Sequence, residues 1–283
     1  MHASETAPVA DWLGLCRRSV RGLVKMLAEH PSTLERARET GRGAGGDEAV
    51  FIDRAAEEII FSELDGLHAE GHRFTVVSEE RGHVDYGDPT VRVVIDPIDG
   101  SLNAKRGLSH HAVSIAVASG PTMADVDFGF VYDFGPDEEW SAARGGGAFL
   151  DGRALPSAPA ERRDAAGRLE IVAIESAHPR HIARVGGELQ EVAHRVRALG
   201  TMAVSMCQVV NTRVDGMATL WRCRAVDVAA AQLIVRESGG LVCFTACEEP
   251  LGAPLDLVPH SPVVAARSQR ALSELRLLSG SGR

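Results

Sequence analysis

The sequence predicts a two-lobed protein of mixed α+β and α/β class, on three observations. A chain of 283 residues, 45% hydrophobic, can bury a large core and exceeds the size at which single cores tend to split. Apolar residues recur at helical spacing in some stretches and as short β-branched runs in others. Residues 155–167, rich in Ala, Pro and Arg, read as a join, so the lobes are expected at residues 1–150 and 151–283.

In chain order, the residues up to Val9 are small and polar and read as frayed. From Asp11, the positions Trp12, Leu15, Cys16, Val20, Leu23, Val24 and Leu27 give a helix ending before Pro31. Residues 42–46 are glycine-rich, but no Gly-Lys-Ser/Thr follows, so they read as a flexible loop. Asp53 opens a helix with Ala56, Ile59, Ile60 and Leu64 as its apolar stripe and Glu57, Glu58 and Glu63 facing water. Residues 74–78 form a strand delivering Glu79 and Glu80 to its end. The β-branched run at 91–95 delivers Asp96 in the same way. Strands follow at 112–118 and 127–132, then a hairpin (138–142 and 148–150) around Arg144-Gly-Gly-Gly147. His110 and His111 are adjacent, would point to opposite faces of a strand, and read as structural or near a substrate entrance.

Beyond the join, a strand at 169–174, a helical region at 180–192 and a strand at 196–199 alternate as in an α/β lobe. Gly200-Thr201 starts a helix over 202–210, and 214–220 is strand-like. Asp227 caps the next helix, with Ala230, Leu233 and Ile234 inward and Gly239 as its stop. Strands at 241–244 and 263–266 and a helix at 268–278 close the chain.

The chemistry concentrates at Asp96-Pro97-Ile98-Asp99-Gly100-Ser101. The strand breaks at Asp96, because a residue before proline is pushed out of the α region. Asp99 and Ser101 can each cap a helix that starts at once. Two carboxylates on a tight turn beside helix-start amides attract a hard cation and a phosphate together. Should strands 74–78 and 91–95 be neighbours, Glu79 converges on the same place. Such a site suits metal-assisted phosphoryl chemistry.

This segment resembles the signature of the inositol monophosphatase family, lithium-sensitive, magnesium-dependent phosphatases that include fructose-1,6-bisphosphatases. Ser78-Glu79-Glu80 stands where the family has Gly-Glu-Glu, and Asp227-Val-Ala-Ala-Ala with Glu237-Ser-Gly-Gly240 matches its last motif. The match runs from about Asp53 to Ala266. It implies a layered α/β/α/β/α sugar-phosphatase fold. It also implies metal ligation by Glu79, Asp96, Asp99, Asp227 and the Ile98 carbonyl. Hard oxygen donors favour Mg²⁺, with Mn²⁺ as a substitute, and the resemblance implies two to three ions. By the same resemblance, a water flanked by Glu79 and a Ser101–Asp53 dyad attacks, the Gly100 and Ser101 amides hold the phosphate, and Asp227 orients the leaving hydroxyl. Gly200 and Thr201 sit by the substrate, and a homodimer is implied.

The resemblance leaves the substrate open. Leu220 stands where inositol-specific members carry a sugar-contacting glutamate, Val226 where they have Trp, and Ala104 where an aromatic follows the signature Asn. Arg224 resembles archaeal-type members that hydrolyse both inositol phosphate and fructose bisphosphate, and with Lys105 or Arg106 it could hold a second phosphate. Two alternatives stand beside a sugar or inositol phosphate phosphatase. One is a 3'-phosphoadenosine 5'-phosphate phosphatase, although those members have Lys-Glu-Phe where Leu102-Asn103-Ala104 stands. The other is a non-catalytic regulator that binds transcription machinery.

A net charge of -9, with only two lysines (Lys25 and Lys105) and scattered arginines, argues against a nucleic-acid surface. Five irregularly spaced cysteines give neither a disulfide framework nor a zinc knuckle. The N-terminus lacks a charged flank before an apolar run, and no stretch is apolar enough for a membrane, so a soluble cytoplasmic protein is expected.

Overall fold

The computed structural model describes residues 10–44, 48–157 and 159–279. The expected frayed start (1–9) and Gly45, Gly46 and Asp47 of the glycine-rich stretch lie outside them. The first half of the chain forms α1 (Trp12–Glu29), α2 (Thr33–Arg36), β1 (Glu39–Arg42), β2 (Glu48–Val50), α3 (Phe51–Ala69), β3 (Thr75–Ser78), β4 (Gly82–Asp85), β5 (Arg92–Asp99), α4 (Ser101–Arg106), β6 (Ala112–Ala118), β7 (Val126–Asp133), β8 (Glu138–Ala143), β9 (Gly147–Leu150) and β10 (Arg153–Ala154). The second half forms β11 (Leu169–Glu175), α5 (Pro179–Arg184), α6 (Gly186–Val192), β12 (Ala193–Arg197), α7 (Met202–Val210), β13 (Gly216–Thr219), α8 (Ala225–Glu237), β14 (Leu241–Phe244), β15 (Val263–Ala266) and α9 (Gln269–Arg276).

Among the described residues, eight strands make one sheet in the order β10-β9-β8-β7-β6-β5-β3-β4, and five make another, β12-β11-β13-β15-β14. Alternation along each strand assigns the two faces of the large sheet. Val93 and Ile95 pack with α1 and α3, whereas Val94 lies on the α7–α8 side. The small sheet lies against α7 and α8 on one face and against α9 on the other, where the α6 residues Leu189 and Val192 join its core. The result is a five-layer α/β/α/β/α stack. Its middle layer explains itself in sequence: Ala225 to Val235 is an unbroken buried run, apolar but for Asp227 and Gln232, and a helix so nearly apolar all round must be enclosed.

Several elements differ from the sequence reading for physical reasons. The helix expected over 180–192 breaks at Val185, because Gly186-Gly187 follows and glycine costs helix entropy. The strand expected at 196–199 comes earlier, as β12, and pairs parallel to β11. Val24 is half exposed and Met26 takes its place in the core. The glycine-rich stretch is flanked by the paired strands β1 and β2. All five cysteines are free. No helix among the described residues is long and apolar enough to cross a membrane.

The alanines of α8 let the large sheet approach its backbone. At Gly129 on β7, an added Cβ would lie 2.5 Å from the Ala230 carbonyl oxygen. Backbone cannot yield as a flexible side chain does, so Gly129→Ala is expected to destabilise by about 1–3 kcal/mol. Thermal melts check this, and an unchanged midpoint refutes the close-approach argument.

Candidate active site

β3 and β5 pair in parallel, with Ser78 opposite Ile95. The next residues, Glu79 just past β3 and Asp96 still within β5, therefore stand side by side. The turn after β3 is anchored from α3. Glu57 accepts hydrogen bonds from the Ser78 hydroxyl and, at 3.0 Å, from the Arg81 amide, and pairs with the Arg81 guanidinium. Glu57 was expected to face water but is buried, because it serves as the brace of this turn.

The signature is not a turn that ends a strand: β5 continues through Asp99. Residues three apart on a regular strand face opposite ways. Here Asp96 pairs with Ser114 and Asp99 with Ala112, so one extra residue is accommodated between them as a bulge. Pro97, which lacks an amide for the ladder, sits in that bulge. The extra residue reverses the parity and puts both aspartates on the α7–α8 side. Gly100 then turns at φ 88° to start α4, and a Cβ there would meet the Gly200 carbonyl at 2.9 Å, so glycine is required.

Neither Asp99 nor Ser101 caps α4, against expectation. Asp99 reaches across to α7, accepting from the Thr201 hydroxyl and from the amides of Ala203 (2.7 Å) and Met202 (3.3 Å). The Ser101 hydroxyl donates to the Ile98 carbonyl at 2.9 Å. Asp227 lies in the first turn of α8 rather than at its cap, and accepts from the amide of Arg224, the true N-cap, at 2.9 Å. The Arg224 guanidinium spans two carboxylates, Glu79 at 2.7 Å and Asp227 at 3.1 Å. It is thus clamped between two acids.

These residues line one cavity of about 320 Å³, formed by Asp53, Glu79, Asp96, Ile98, Asp99, Gly100, Ser101, Arg224 and Asp227, with Glu80 and Lys105 beside them. Gly200 and Thr201 line a neighbouring cavity of about 300 Å³ that shares Asp99. Arg106 lines neither. A larger space of about 460 Å³ between α1 and α3 carries none of the signature residues, and chemistry rather than size selects the site.

Burial and crowding raise the carboxyl pKa values. Asp96 is held well above the usual range by burial, with Glu79, Asp99 and Asp227 adding to it. Asp99 is pushed up to about 8 by burial and by Asp227, although the Thr201 hydroxyl and Ala203 amide pull it down. Burial also raises Glu79, against the opposing pull of Arg224, and takes Glu80 to about 7. Among the described residues, no three acidic, His or Cys side chains are arranged to hold a metal ion directly. Asp99 is turned to α7, and Arg224 holds Glu79 and Asp227. By donor chemistry the set fits a hard cation: buried carboxylates and a carbonyl, all oxygen, crowded enough to need positive charge. Ligation requires these side chains to turn from their present partners.

The sequence reading missed Glu175, at the end of β11. It accepts from the Leu199 (3.0 Å) and Gly200 (3.1 Å) amides and the Ser205 hydroxyl (2.6 Å), fixing the loop that carries Thr201. An acid directly after a strand, as at Glu79 and Asp96, was the signal that could have found it. Asn103 ties the same loop to α4, donating to the Leu199 and His110 carbonyls at 2.7 and 2.8 Å.

Residues 15–279 match the model of the inositol monophosphatase family. A protein of Pasteurella multocida named Nus factor SuhB is 35% identical over 201 residues, covering 70% of this chain and 72% of that protein. A fructose-1,6-bisphosphatase/inositol-1-monophosphatase of Thermococcus kodakarensis is 30% identical over 267 residues, 94% of this chain and 96% of that one. A solved inositol monophosphatase–fructose 1,6-bisphosphatase structure gives a TM-score of 0.80 at 24% identity, covering 95% of this chain and 100% of the other. At that identity the likeness speaks for the fold alone.

Glu175 yields a pH dependence. Burial pushes its carboxyl up to about 7, against the donors that favour its charged form. A folded pKa above the unfolded value of about 4.3 gives stability that is full below about pH 4.3 and lost as the pH rises through about 7. The melting advantage of the wild type over Glu175→Gln is expected to shrink by roughly 3 kcal/mol between about pH 4.5 and 7.5. A difference that stays level across that window, followed by circular dichroism, refutes the assignment.

Proposed function

The chain belongs to the inositol monophosphatase family, and from that premise we propose that it is a Mg²⁺-dependent phosphomonoesterase acting on a small sugar or inositol phosphate, inositol-1-phosphate or fructose-1,6-bisphosphate. The observation that carries this reading is the gathering of Glu79, Asp96, Asp99 and Asp227, from three distant stretches, around one cavity of about 320 Å³. That volume lies within the range of small-molecule sites.

Glu79, Asp96, Asp99, Asp227 and the Ile98 carbonyl would hold two to three Mg²⁺ ions, or Mn²⁺ as a substitute, which when bound polarise water and neutralise phosphoryl oxygens. The chain's own groups divide the remaining work. Glu79, with the Ser101 hydroxyl and Asp53, orients the attacking water. The Gly100 and Ser101 amides hold the phosphate, and Asp227 orients the leaving hydroxyl. Gly200 and Thr201 bound the leaving group's side, while Arg224 and Lys105 bring positive charge to the substrate. In this reading the lobe of residues 1–150 supplies Glu79 and the signature, and the lobe of 151–283 supplies Asp227 and the substrate contacts. The enzyme works as a cytoplasmic homodimer, without nucleic acid or membrane.

The similarity to a protein named Nus factor SuhB favours a second reading, a non-catalytic regulator. Retention of all four carboxylates speaks for catalysis.

Phosphate release from inositol-1-phosphate and fructose-1,6-bisphosphate, with and without Mg²⁺, tests the proposal. Asp96→Asn is the cleaner variant, because Asp99 also caps α7 and its loss would cost about 1 kcal/mol of stability. Asp96→Asn is expected to lower kcat by about a thousandfold or more with the fold intact. Persistent turnover in that variant, or equal release without Mg²⁺, sinks the reading.

A further inference from the structure

Arg224 stands in an unusual electrostatic position. Its backbone N-caps the thirteen-residue helix α8, whose N-terminal dipole end disfavours a cation. Its side chain is only 17% exposed, and the guanidinium meets two carboxylates, Glu79 at 2.7 Å and Asp227 at 3.1 Å. Glu79 follows the large sheet and Asp227 begins the central helix, so one planar fork spans two separate elements. The backbone beneath it is pinned, with the Cys223 amide donating to the Ser261 carbonyl at 3.0 Å.

The oxygens that Arg224 holds are the ones a divalent ion would require. A guanidinium is permanently charged and weakly hydrated, which suits it to neutralise buried carboxylates. Once an ion occupies those oxygens, the carboxylates no longer hold the guanidinium, and both the ion and the helix dipole repel it. The two cations exclude each other there.

We propose that Arg224 is a displaceable resident cation: it holds Glu79 and Asp227 together until a divalent ion takes their oxygens, and then swings off into the cavity, free to meet the substrate's phosphate. The identity of the ion rests on the phosphatase reading above. Ion binding and substrate recruitment are thereby ordered, with the arginine released only at a loaded site.

Calorimetric titration of the full chain with Mg²⁺, and separately with Mn²⁺, in the absence of substrate tests this. Arg224→Gln removes the competitor and is expected to bind Mg²⁺ about tenfold tighter or more. Without metal it melts below the wild type, and saturating Mg²⁺ raises its midpoint by more. Arg224→Lys, which keeps a charge but cannot fork between two carboxylates, falls between them and carries the comparison if the glutamine variant does not fold. Equal or weaker Mg²⁺ affinity in Arg224→Gln overturns the proposal while leaving the phosphatase reading intact. Absence of binding to either ion by both wild type and variant overturns both. Binding by the variant alone supports the proposal in its strongest form.

Discussion

The parallel pairing of Thr75–Ser78 with the start of Arg92–Asp99 is the constraint from which the rest of the site follows. Side-chain direction alternates along a strand, so a slip of one residue in this register would send Glu79 and Asp96 to different faces. The register is held from the α1–α3 face by packing and by a hydrogen-bonded brace. Val76, Val93 and Ile95 fill the core beneath α1 and α3, and Glu57 fastens the turn that follows Ser78. Bulging at Pro97 then returns Asp99 to the face of Asp96. Apolar packing thus sets the positions of charges that would not choose to be together.

That enforced proximity has an energetic consequence. Two carboxylates about 4 Å apart repel by roughly 4 kcal/mol at an effective dielectric of 20, and burial adds the cost of desolvation. The fold offsets this with the donors at hand. Asp99 is satisfied by the start of α7, and Arg224 serves Glu79 and Asp227 at once. Each of these contacts also joins separate parts of the chain: Asp99 links the large sheet to α7, and Arg224 links the end of β3 to α8. The groups that give the site its chemistry are therefore among those that hold the middle layer to the large sheet.

Much of this was legible in the sequence, and the limits have a physical pattern. Elements declared by local signals, such as the α7 start at Gly200-Thr201 or the buried strands at 112–118 and 241–244, stand where periodicity and capping placed them. The meeting of Glu79 with Asp96 was conditional on two strands being neighbours, which no local pattern encodes. Glu57 and Asp99 were misjudged for the same reason. A carboxylate on a helix or before a glycine looks solvated or self-capping unless its partner, here Ser78 or Thr201, is known to arrive from elsewhere. Glu175 was overlooked because its ligands, the Leu199 and Gly200 amides, are backbone groups that sequence does not advertise.

The positions that distinguish this chain from inositol-specific relatives sharpen the question of specificity. Leu220, Val226 and Ala104 replace the glutamate, tryptophan and aromatic residue of the resemblance, and all three are buried, at 1% exposure or less. They cannot contact a sugar. Their role here is packing: Val226 belongs to the shared core around α8, Leu220 to the outer face of the small sheet and Ala104 to the layer beneath α3. The side chains that do face the two adjoining cavities include Lys105 and Arg224 in one and Ser176 and Thr201 in the other, and the phosphatase reading assigns discrimination among substrates to them. The first wall carries those two cations among six carboxylates, and the second carries hydroxyls. In that reading the contrast between the two walls, rather than the shared set of carboxylates, would separate one phosphorylated sugar from the next.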